Sequence, residues 1–313
     1  MKITEMRWEV ERRTGRKAAN LSGADLRILF EELGNDPEHY YQELEMGSPY
    51  VETHRDVSHT QDVVGPHSHG FYELIYVESG ALQYLLGTER YRLRRGDIIL
   101  IAPGVSHQPL SLEHLAEPYR RCIVWISPEY LDLLRKVYPG ILRLEGHQVL
   151  RTTGTSWEFL RDLFENGVKE AEQNAAHCDA MVAANTMALL VQLTRVLEAP
   201  HIPAPQAEAP ELIDEIVRYL EENLGDKITL DYAACLFHIS KSTVSQLFRR
   251  HLNISFYQYL TQRRLIAAKE RILQGCPFDQ VALEIGFSDY STFFRAFRRE
   301  YGISPSQYRK MLP

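Results

Sequence analysis

The sequence predicts a two-domain α+β protein: a small N-terminal β-barrel with flanking helices, then an all-α domain of two similar units joined by a long helix. Between residues 49 and 126, short runs of aromatic and β-branched residues are separated by turn residues, a pattern typical of strands. After residue 210 the apolar residues follow a helical period. The segment EAPHIPAPQAEAP, residues 198–210, holds four prolines without apolar periodicity, which indicates an extended linker.

The composition bounds the class of protein. Of the 313 residues, 44% are hydrophobic and 25% are charged, as in soluble globular proteins. No run approaches the about 18 uninterrupted apolar residues of a membrane span, and the N-terminal segment MKITEMRWEVERRTGRK lacks the apolar core of a secretory signal. The four cysteines are far apart in sequence and predict neither a disulfide framework nor a zinc knuckle. We therefore expect a cytoplasmic protein without a membrane partner.

The net charge of −7 is unevenly distributed along the chain. Residues 212–313 carry 14 Lys/Arg and 11 Asp/Glu, which leaves 21 and 31 for the first 211 residues. The C-terminal part is therefore positive by three charges, and the part before it is negative by ten. Such an asymmetry is consistent with a nucleic-acid-binding module joined to an acidic one.

The strand-like runs of the N-terminal half end at turn dipeptides such as Ser79-Gly80, Gly87-Thr88 and Pro103-Gly104, and this spacing predicts a sandwich or small barrel. Residues 156–174 and 178–198 predict two helices. The apolar stripe of the second helix suits either packing within the domain or a homodimer interface. The predicted segments are a helical extension at 1–48 with helices at Asp25–Leu33 and Pro37–Met46, the barrel at 49–127, a helical segment at 128–198, the linker at 199–210 and the helical domain at 211–313.

The C-terminal domain contains a weak internal repeat. AACLFHISKSTVSQLFRRHLNIS, residues 233–255, is similar to ALEIGFSDYSTFFRAFRREYGIS, residues 282–304. Each unit predicts a short helix, a turn and a second helix with a serine or aspartate cap, which is the helix-turn-helix pattern. The joining helix, Ser255–Gln274, would span roughly 30 Å. Because one turn of B-DNA is roughly 34 Å, two second helices held apart by this rod could enter adjacent major-groove segments.

These residues resemble a known family. ISKSTVSQLFRRHLNISFYQYLTQRRLIAAKERIL, followed by VALEIGFSDYSTFFRAFRREYGISPSQYR, is similar to the AraC/XylS-type DNA-binding domain over about a hundred residues. The resemblance implies that the second helix of each unit reads double-stranded DNA. Glutamine and arginine side chains in the groove can discriminate bases. The remaining lysine and arginine side chains are expected to contact phosphates. The implied DNA-binding residues are Lys241, Ser242, Ser245, Gln246, Arg249 and Arg250 in the first unit, and Tyr290, Ser291, Arg295, Arg298 and Arg299 in the second.

One departure from the motif lies in the first turn. His238 stands where this motif often has glycine, as Gly286 does in the second unit. Because glycine adopts a left-handed turn conformation more readily than histidine, we expect an altered first turn.

The segment PHSHGFYELIYVESG is similar to the first cupin motif through His67, His69, Glu73 and Gly80, and GDIILIAPGVSH resembles the second through Gly96, Gly104 and His107. Ser111 stands where asparagine often closes the second motif. If the first stretch is extended, the even spacing of its two histidines and its glutamate points all three into the barrel. His107 could complete the set from another strand.

Three imidazoles and a carboxylate suit Zn, Fe, Ni or Mn, so His67, His69, Glu73 and His107 form a candidate metal site. The alternative is a pocket in which they hydrogen-bond a sugar or organic acid, so no metal cofactor is required. The aromatic residues Phe71, Tyr72, Tyr84 and Trp125 are candidates to line this effector pocket, although aromatic strand residues also serve as core.

The function expected from these features is a one-component bacterial transcription regulator, not an enzyme. The resemblance implies a small-molecule effector, a sugar or related metabolite, bound in the cupin pocket. It also implies a homodimer on paired DNA sites and, for an activator, contact with RNA polymerase. Two alternatives are a metal-dependent cupin enzyme fused to a DNA-binding domain and a regulator for which metal itself is the signal. No nucleophile elbow or phosphate loop supports the enzyme.

Overall fold

The computed structural model describes residue 46 and residues 48–59, 66–110, 115–173, 175–200, 204–252, 254–301 and 303–311. The helix expected at 25–33 and all but the last residue of the one expected at 37–46 lie outside these residues. The described chain divides into two compact units. The first consists of residues 45–63 and 68–208, and the second contains residues 209–313, with residues 64–67 assigned to it.

The first unit is built from two antiparallel sheets that are not closed into a barrel. The larger sheet has the order β1-β7-β2-β5-β8 and the smaller has the order β4-β3-β6. Among the described strands no ladder joins the two sheets, because the β3–β4 hairpin pairs with β6 and not with the larger sheet. The strands are β1 Val51–Ser58, β2 Tyr72–Ser79, β3 Leu82–Leu86, β4 Glu89–Leu93, β5 Asp97–Ile101, β6 His107–Leu110, β7 Tyr119–Ile126 and β8 His147–Arg151.

The larger sheet is buried on both faces, which explains the long apolar runs of its strands. Leu74 and Tyr76 of β2 belong to the core that the sheet shares with the helices of this unit. Successive side chains of a strand point to opposite faces, so Glu73 and Ile75 face the other way. Both are buried. A sheet-rich N-terminal domain was predicted from the period of two and is confirmed, whereas the predicted closure of the barrel is wrong.

Three helices cover one face of the larger sheet: α1 Pro128–Val137, α2 Leu160–Gln173 and α3 Cys178–Glu198. Helix α1 begins at a Ser127 cap, whose hydroxyl accepts the backbone N–H of Tyr130. Among the described helices, α3 is long and apolar enough to cross a membrane by length and composition, although this is weak evidence. Its residues Val182, Leu189, Leu190, Leu193 and Val196 pack in the core of the unit, which accounts for part of its apolar character.

The second unit is helical throughout, as predicted. The helix-turn-helix pairs are α5–α6 and α8–α9, and the side chains of Ser240 and Asp289 cap α6 and α9 by accepting the backbone N–H of Thr243 and Thr292. The helices are α4 Leu212–Glu222, α5 Leu230–Leu236, α6 Lys241–Leu252, α7 Phe256–Leu273, α8 Phe278–Glu284, α9 Tyr290–Tyr301 and α10 Pro305–Met311.

Helix α7 is the rod between the two pairs. Its 18 residues correspond to roughly 27 Å at the rise of an α-helix. The guanidinium of Arg263 is buried and donates to both oxygens of Glu221 in α4, with the Nη2–Oε2 distance 2.6 Å. Tyr259 donates to the same carboxylate at 2.7 Å. These bonds fix α7 against α4.

The turns of the two pairs have the same left-handed backbone. His238 has φ of +55° and Gly286 has φ of +84°. At Gly286 an added Cβ would lie 2.5 Å from the carbonyl oxygen of Leu224 and 2.6 Å from Nη2 of Arg264. The second turn therefore requires glycine for space as well as for conformation, whereas the first turn holds histidine at a conformational cost.

We predict that Gly286→Ala lowers the free energy of unfolding of the second unit by about 2–4 kcal/mol, since a left-handed side chain and a steric clash both oppose folding. His238→Gly should raise it, by no more than about 1 kcal/mol, because the flexibility of glycine offsets part of the gain. Urea unfolding followed by far-UV circular dichroism checks both values.

Tryptophan fluorescence supplies the internal control for this experiment. Trp8, Trp125 and Trp157 all precede the linker, so the fluorescence transition reports the N-terminal part of the chain and should not move in either variant. Equal stability of Gly286→Ala and the parent chain would contradict the packing argument.

Candidate functional site

Three of the predicted pocket residues meet between the two sheets. The Oε2 atom of Glu73 lies 3.3 Å from Nε2 of His69 and 3.0 Å from Nε2 of His107. The three ligand atoms lie within 4.8 Å of one another, and all three side chains are buried. Since Glu73 belongs to β2 in the larger sheet and His107 begins β6 in the smaller one, this cluster bridges the two sheets.

The chain reaches this arrangement through a bend and not through a continuous strand. Strand β2 begins only at Tyr72, so the extended run expected from His67 onward is not observed. A bend at Gly70 and Phe71 brings His69 back over Glu73, and the ring of Phe71 stacks on His69 at a centroid distance of 3.9 Å. His67 is buried but lies outside the group of three.

The predicted aromatic residues divide between the cluster and the core. Trp125 donates its indole N–H to Oε1 of Glu73 at 2.8 Å, and the ring of Tyr84 stacks toward His107 at 6.4 Å. Tyr72 packs against the core beside the helices, with the guanidinium of Arg135 6.0 Å from its ring centroid. Tyr72 therefore faces away from Glu73, as expected for adjacent residues of one strand.

The electrostatics of the cluster depend on burial and on its hydrogen bonds. Burial alone would raise the pKa of Glu73, but hydrogen bonds with His107 and His69 outweigh it and hold that pKa well below its ordinary value. Burial lowers the pKa of His69, despite the opposing effect of Glu73.

If His69 and His107 are neutral, the positions of their imidazole protons are unfavourable for the carboxylate of Glu73. Nδ1 of His69 lies 2.9 Å from the carbonyl oxygen of Phe71, and Nδ1 of His107 lies 3.0 Å from that of Val105. A carbonyl oxygen only accepts, so each Nδ1 must carry its proton. In a neutral imidazole the Nε2 lone pair then faces the carboxylate of Glu73. A cation among the three groups, either a proton or a metal ion, removes this repulsion.

Sequence reasoning missed two further polar residues on the side of β7 that Trp125 faces, the buried Tyr119 and the half-buried Arg121. Tyr119 and Arg121 precede Trp125 at even spacing on β7, and the guanidinium of Arg121 lies 4.6 Å from the centroid of the Tyr119 ring. Arg121 also pairs with Asp56 of β1. Burial raises the pKa of the phenols of Tyr84 and Tyr119. The even spacing along β7 is the signal that could have revealed them.

The predicted DNA-binding residues of the first pair lie on α6. Lys241, Ser242, Gln246, Arg249 and Arg250 are exposed, whereas Ser245 is half-buried. The ammonium of Lys241 forms an ion pair with Asp231 at 2.8 Å, which raises the pKa of this lysine. The helix thus presents Arg249, Arg250 and Gln246 to solvent, away from its buried Val244 and Phe248.

The second pair presents a similar surface on α9. Ser291, Arg295, Arg298 and Arg299 are exposed, opposite the buried rings of Phe293 and Phe297. Tyr290 is half-buried, and its ring packs within 6.4 Å of the rings of Phe278, Phe293 and Phe294. The position of Tyr290 therefore supports the packing of α8 on α9 as well as any contact with DNA.

Comparison with protein families finds a match for each unit. Residues 49–190 match the model described as an AraC-like ligand binding domain, and residues 233–311 match a helix-turn-helix domain. The HTH-type transcriptional activator RhaR of Salmonella dublin is 28% identical over 263 residues, which cover 80% of this chain and 89% of that protein. RhaR of Salmonella schwarzengrund has the same identity and coverage.

Two solved structures are also similar to this chain. ToxT from Vibrio cholerae is 12% identical with a TM-score of 0.35, over 84% of this chain and 99% of that one. The C-terminal domain of the two-component response regulator yesN from Fusobacterium nucleatum is 31% identical with a TM-score of 0.30, over 31% of this chain and 95% of that one.

Proposed function

Since the chain belongs to the AraC family of transcription regulators, we propose that its signal is a small polar metabolite bound at the cluster of His69, Glu73 and His107. It is a regulator with a ligand-binding domain and a helix-turn-helix DNA-binding domain, and it is not an enzyme. We also propose that it acts in the cytoplasm as a homodimer and contacts RNA polymerase when it activates.

The observation that carries the effector proposal is the buried carboxylate of Glu73 between groups from both sheets. A charged group is costly to bury unless it is paired, and a cation or a ligand donor between these groups would pair the carboxylate. The rings of Phe71, Tyr84 and Trp125 lie beside these polar groups. Polar groups among aromatic rings suit a hydroxyl-rich ligand such as a sugar.

We also propose a divalent metal ion, of which Zn, Ni, Fe and Mn are the candidates, for the same three residues. Two imidazoles and one carboxylate form a donor set that these ions accept. In both histidines the Nδ1 atom faces a backbone carbonyl oxygen, which is how metal-binding imidazoles are commonly oriented. His67 is not needed for this site.

We predict about one equivalent of metal per chain in elemental analysis of the purified protein after incubation with zinc and desalting. The double variant His69→Ala/His107→Ala should lose it, because two of three ligands are removed. His67→Ala and the exposed control His177→Ala should retain it. Metal content that is unchanged in the double variant would place the ion elsewhere.

The same purified protein, chelated or loaded with zinc, distinguishes a metal cofactor from a metal ion that is itself the signal. If metal is itself the signal, chelated and zinc-loaded protein will differ in affinity for DNA. Equal affinities would exclude metal as the signal. If monosaccharides also stabilise the parent chain but not the Glu73→Gln variant, the signal is a metabolite bound at the cluster.

For DNA recognition, we propose that α6 and α9 enter adjacent major-groove segments. The exposed arginines of α9 supply both kinds of contact. Arg295 lies in the middle of the helix and is proposed to read a base, whereas Arg298 and Arg299 lie in its last turn and are proposed to contact phosphates. Bases give specificity, and phosphates give salt-dependent affinity.

We predict that Arg298→Ala weakens binding to all sequences and flattens the plot of log affinity against log salt by about one unit, because one phosphate contact is lost. Arg295→Ala should instead relax the preference at one base pair, by about 1–3 kcal/mol. Both are measured by fluorescence anisotropy with an operator that the parent chain selects from random DNA. Arg218→Ala, an exposed charge on α4, is the control and should change neither quantity.

We propose that two copies of the chain associate through α3. Only 33% of its most apolar window is buried, and its outer face presents the exposed residues Ala180, Met181, Ala184 and Ala188. Met181 is 54% exposed. Small residues allow close approach of two helices, and burial of this face against a second copy would remove apolar surface from water.

We predict that Ala184→Glu raises the dimer dissociation constant at least about tenfold, because a buried unpaired charge opposes association. Analytical ultracentrifugation measures it. Leu133→Glu replaces an apolar residue of α1 that is 53% exposed, and it is the matched control, expected to leave association unchanged. A parent chain that stays monomeric at all accessible concentrations contradicts the proposal.

A further inference from the structure

The end of the linker is bound to the smaller sheet. The carboxylate of Glu208 accepts from Nε2 of Gln83 at 2.6 Å and from Nε of Arg92 at 3.1 Å. The backbone N–H of Glu208 donates to the carbonyl oxygen of Arg90 at 2.7 Å. Glu208 therefore makes three contacts with β3 and β4, and we call these contacts the latch.

Two earlier residues of the linker also lie near β4. Ala204 and Pro205 form one wall of a cavity of about 350 Å³, whose other walls include Tyr91 and His147. Glu208 is also the last residue of the first compact unit, and Ala209 begins the second. The latch thus marks where the tether of the DNA-binding unit leaves the sensor unit.

The latch and the cluster lie on opposite faces of the same three-stranded sheet. Gln83 pairs with Arg92, and Tyr84 pairs with Tyr91. Adjacent residues of a strand face opposite sides, so Gln83 faces the latch while Tyr84 stacks toward His107. His107 itself belongs to β6, which pairs with β3. A shift of β3 or β6 at the cluster therefore moves the groups that hold Glu208.

We propose that Glu208 latches the linker to β3 and β4, and that opening of this latch is how the sensor unit changes the reach of the DNA-binding unit. When the latch is closed, only residues 209–211 join Glu208 to α4, and fully extended they span at most roughly 10–15 Å. With the latch open, residues 199–211 join α3 to α4, a reach of roughly 45–50 Å. Tether length sets the separation at which two linked modules can bind together.

The contacts of the latch are weak enough for a bound ligand to open or close them. The side chain of Arg92 is 73% exposed and that of Glu208 is 27% exposed, and ion pairs that contact solvent contribute little to stability. A ligand shifts an equilibrium only by its difference in affinity for the two states. A weak latch can therefore be opened or closed by a modest difference. The coupling between the latch and the cluster rests on the proposed effector site. The latch itself does not depend on that site.

Proteolysis of the intact chain tests the latch directly. An elastase, which cuts after alanine, can cleave the Ala207–Glu208 bond, where the latch holds the backbone N–H of Glu208. Arg92→Ala and Glu208→Gln should each raise the cleavage rate at this bond about threefold, as loss of an exposed ion pair implies. Mass spectrometry identifies the products.

Two controls make the experiment decisive. Arg94→Ala removes an exposed charge just after β4 and outside the latch, and it should leave the rate unchanged. The charge-reversed pair Arg92→Glu/Glu208→Arg should restore a rate close to that of the parent chain. Equal rates in Arg92→Ala and Arg94→Ala, or no restoration in the reversed pair, would overturn the latch.

The coupling has its own measurement. In Glu73→Gln, with folding verified by circular dichroism, the cleavage rate at Ala207–Glu208 should differ at least twofold from that of the parent chain. An unchanged rate there would overturn the coupling while the Arg92 result stands. Absence of metal and of ligand binding at the cluster would instead refute the proposed effector site, so the failures are distinguishable.

Discussion

The buried carboxylate of Glu73 is the constraint on which the sensor unit depends. A carboxylate without partners in a protein interior is costly, so the surrounding structure must supply donors. Trp125 on β7 donates its indole N–H, and Nε2 of His69 before β2 and of His107 at the start of β6 approach the same carboxylate, where a shared proton or a metal ion would join them. Because these residues belong to both sheets, one charge holds together two layers that no described backbone ladder joins.

In the DNA-binding unit the governing constraint is steric. The second turn allows no side chain at Gly286, where a carbonyl and a guanidinium fill the space of a Cβ. The first turn has the same left-handed backbone and accepts His238. Both second helices therefore leave their turns in a similar way, and their buried phenylalanines fix which face of each helix, with its arginines, is exposed.

The sequence predicted well where a pattern is local. The period of two indicated the strands, the repeated F-R-R indicated the paired helices, and the residue types at 69, 73 and 107 indicated the cluster. It failed where long-range packing decides. The bend at Gly70 and Phe71 takes His67 out of the strand parity that had grouped it with His69. The absence of barrel closure depends on which edge β6 meets, and the role of Glu208 depends on where an unpatterned linker lies against β3 and β4.

The rod α7 has a consequence for the operator. It packs against α6 through Tyr259 and Phe248 and against α9 within one core cluster, so it sets the separation of the two helices that we propose to read DNA. One base pair inserted between the two groove segments would advance the second by about 3.4 Å and rotate it by about 35° around the duplex. If α6 and α9 enter adjacent groove segments as proposed, a single chain would impose a reading frame on its DNA: substitutions would weaken a site step by step, whereas insertions and deletions between the two segments would abolish simultaneous contact.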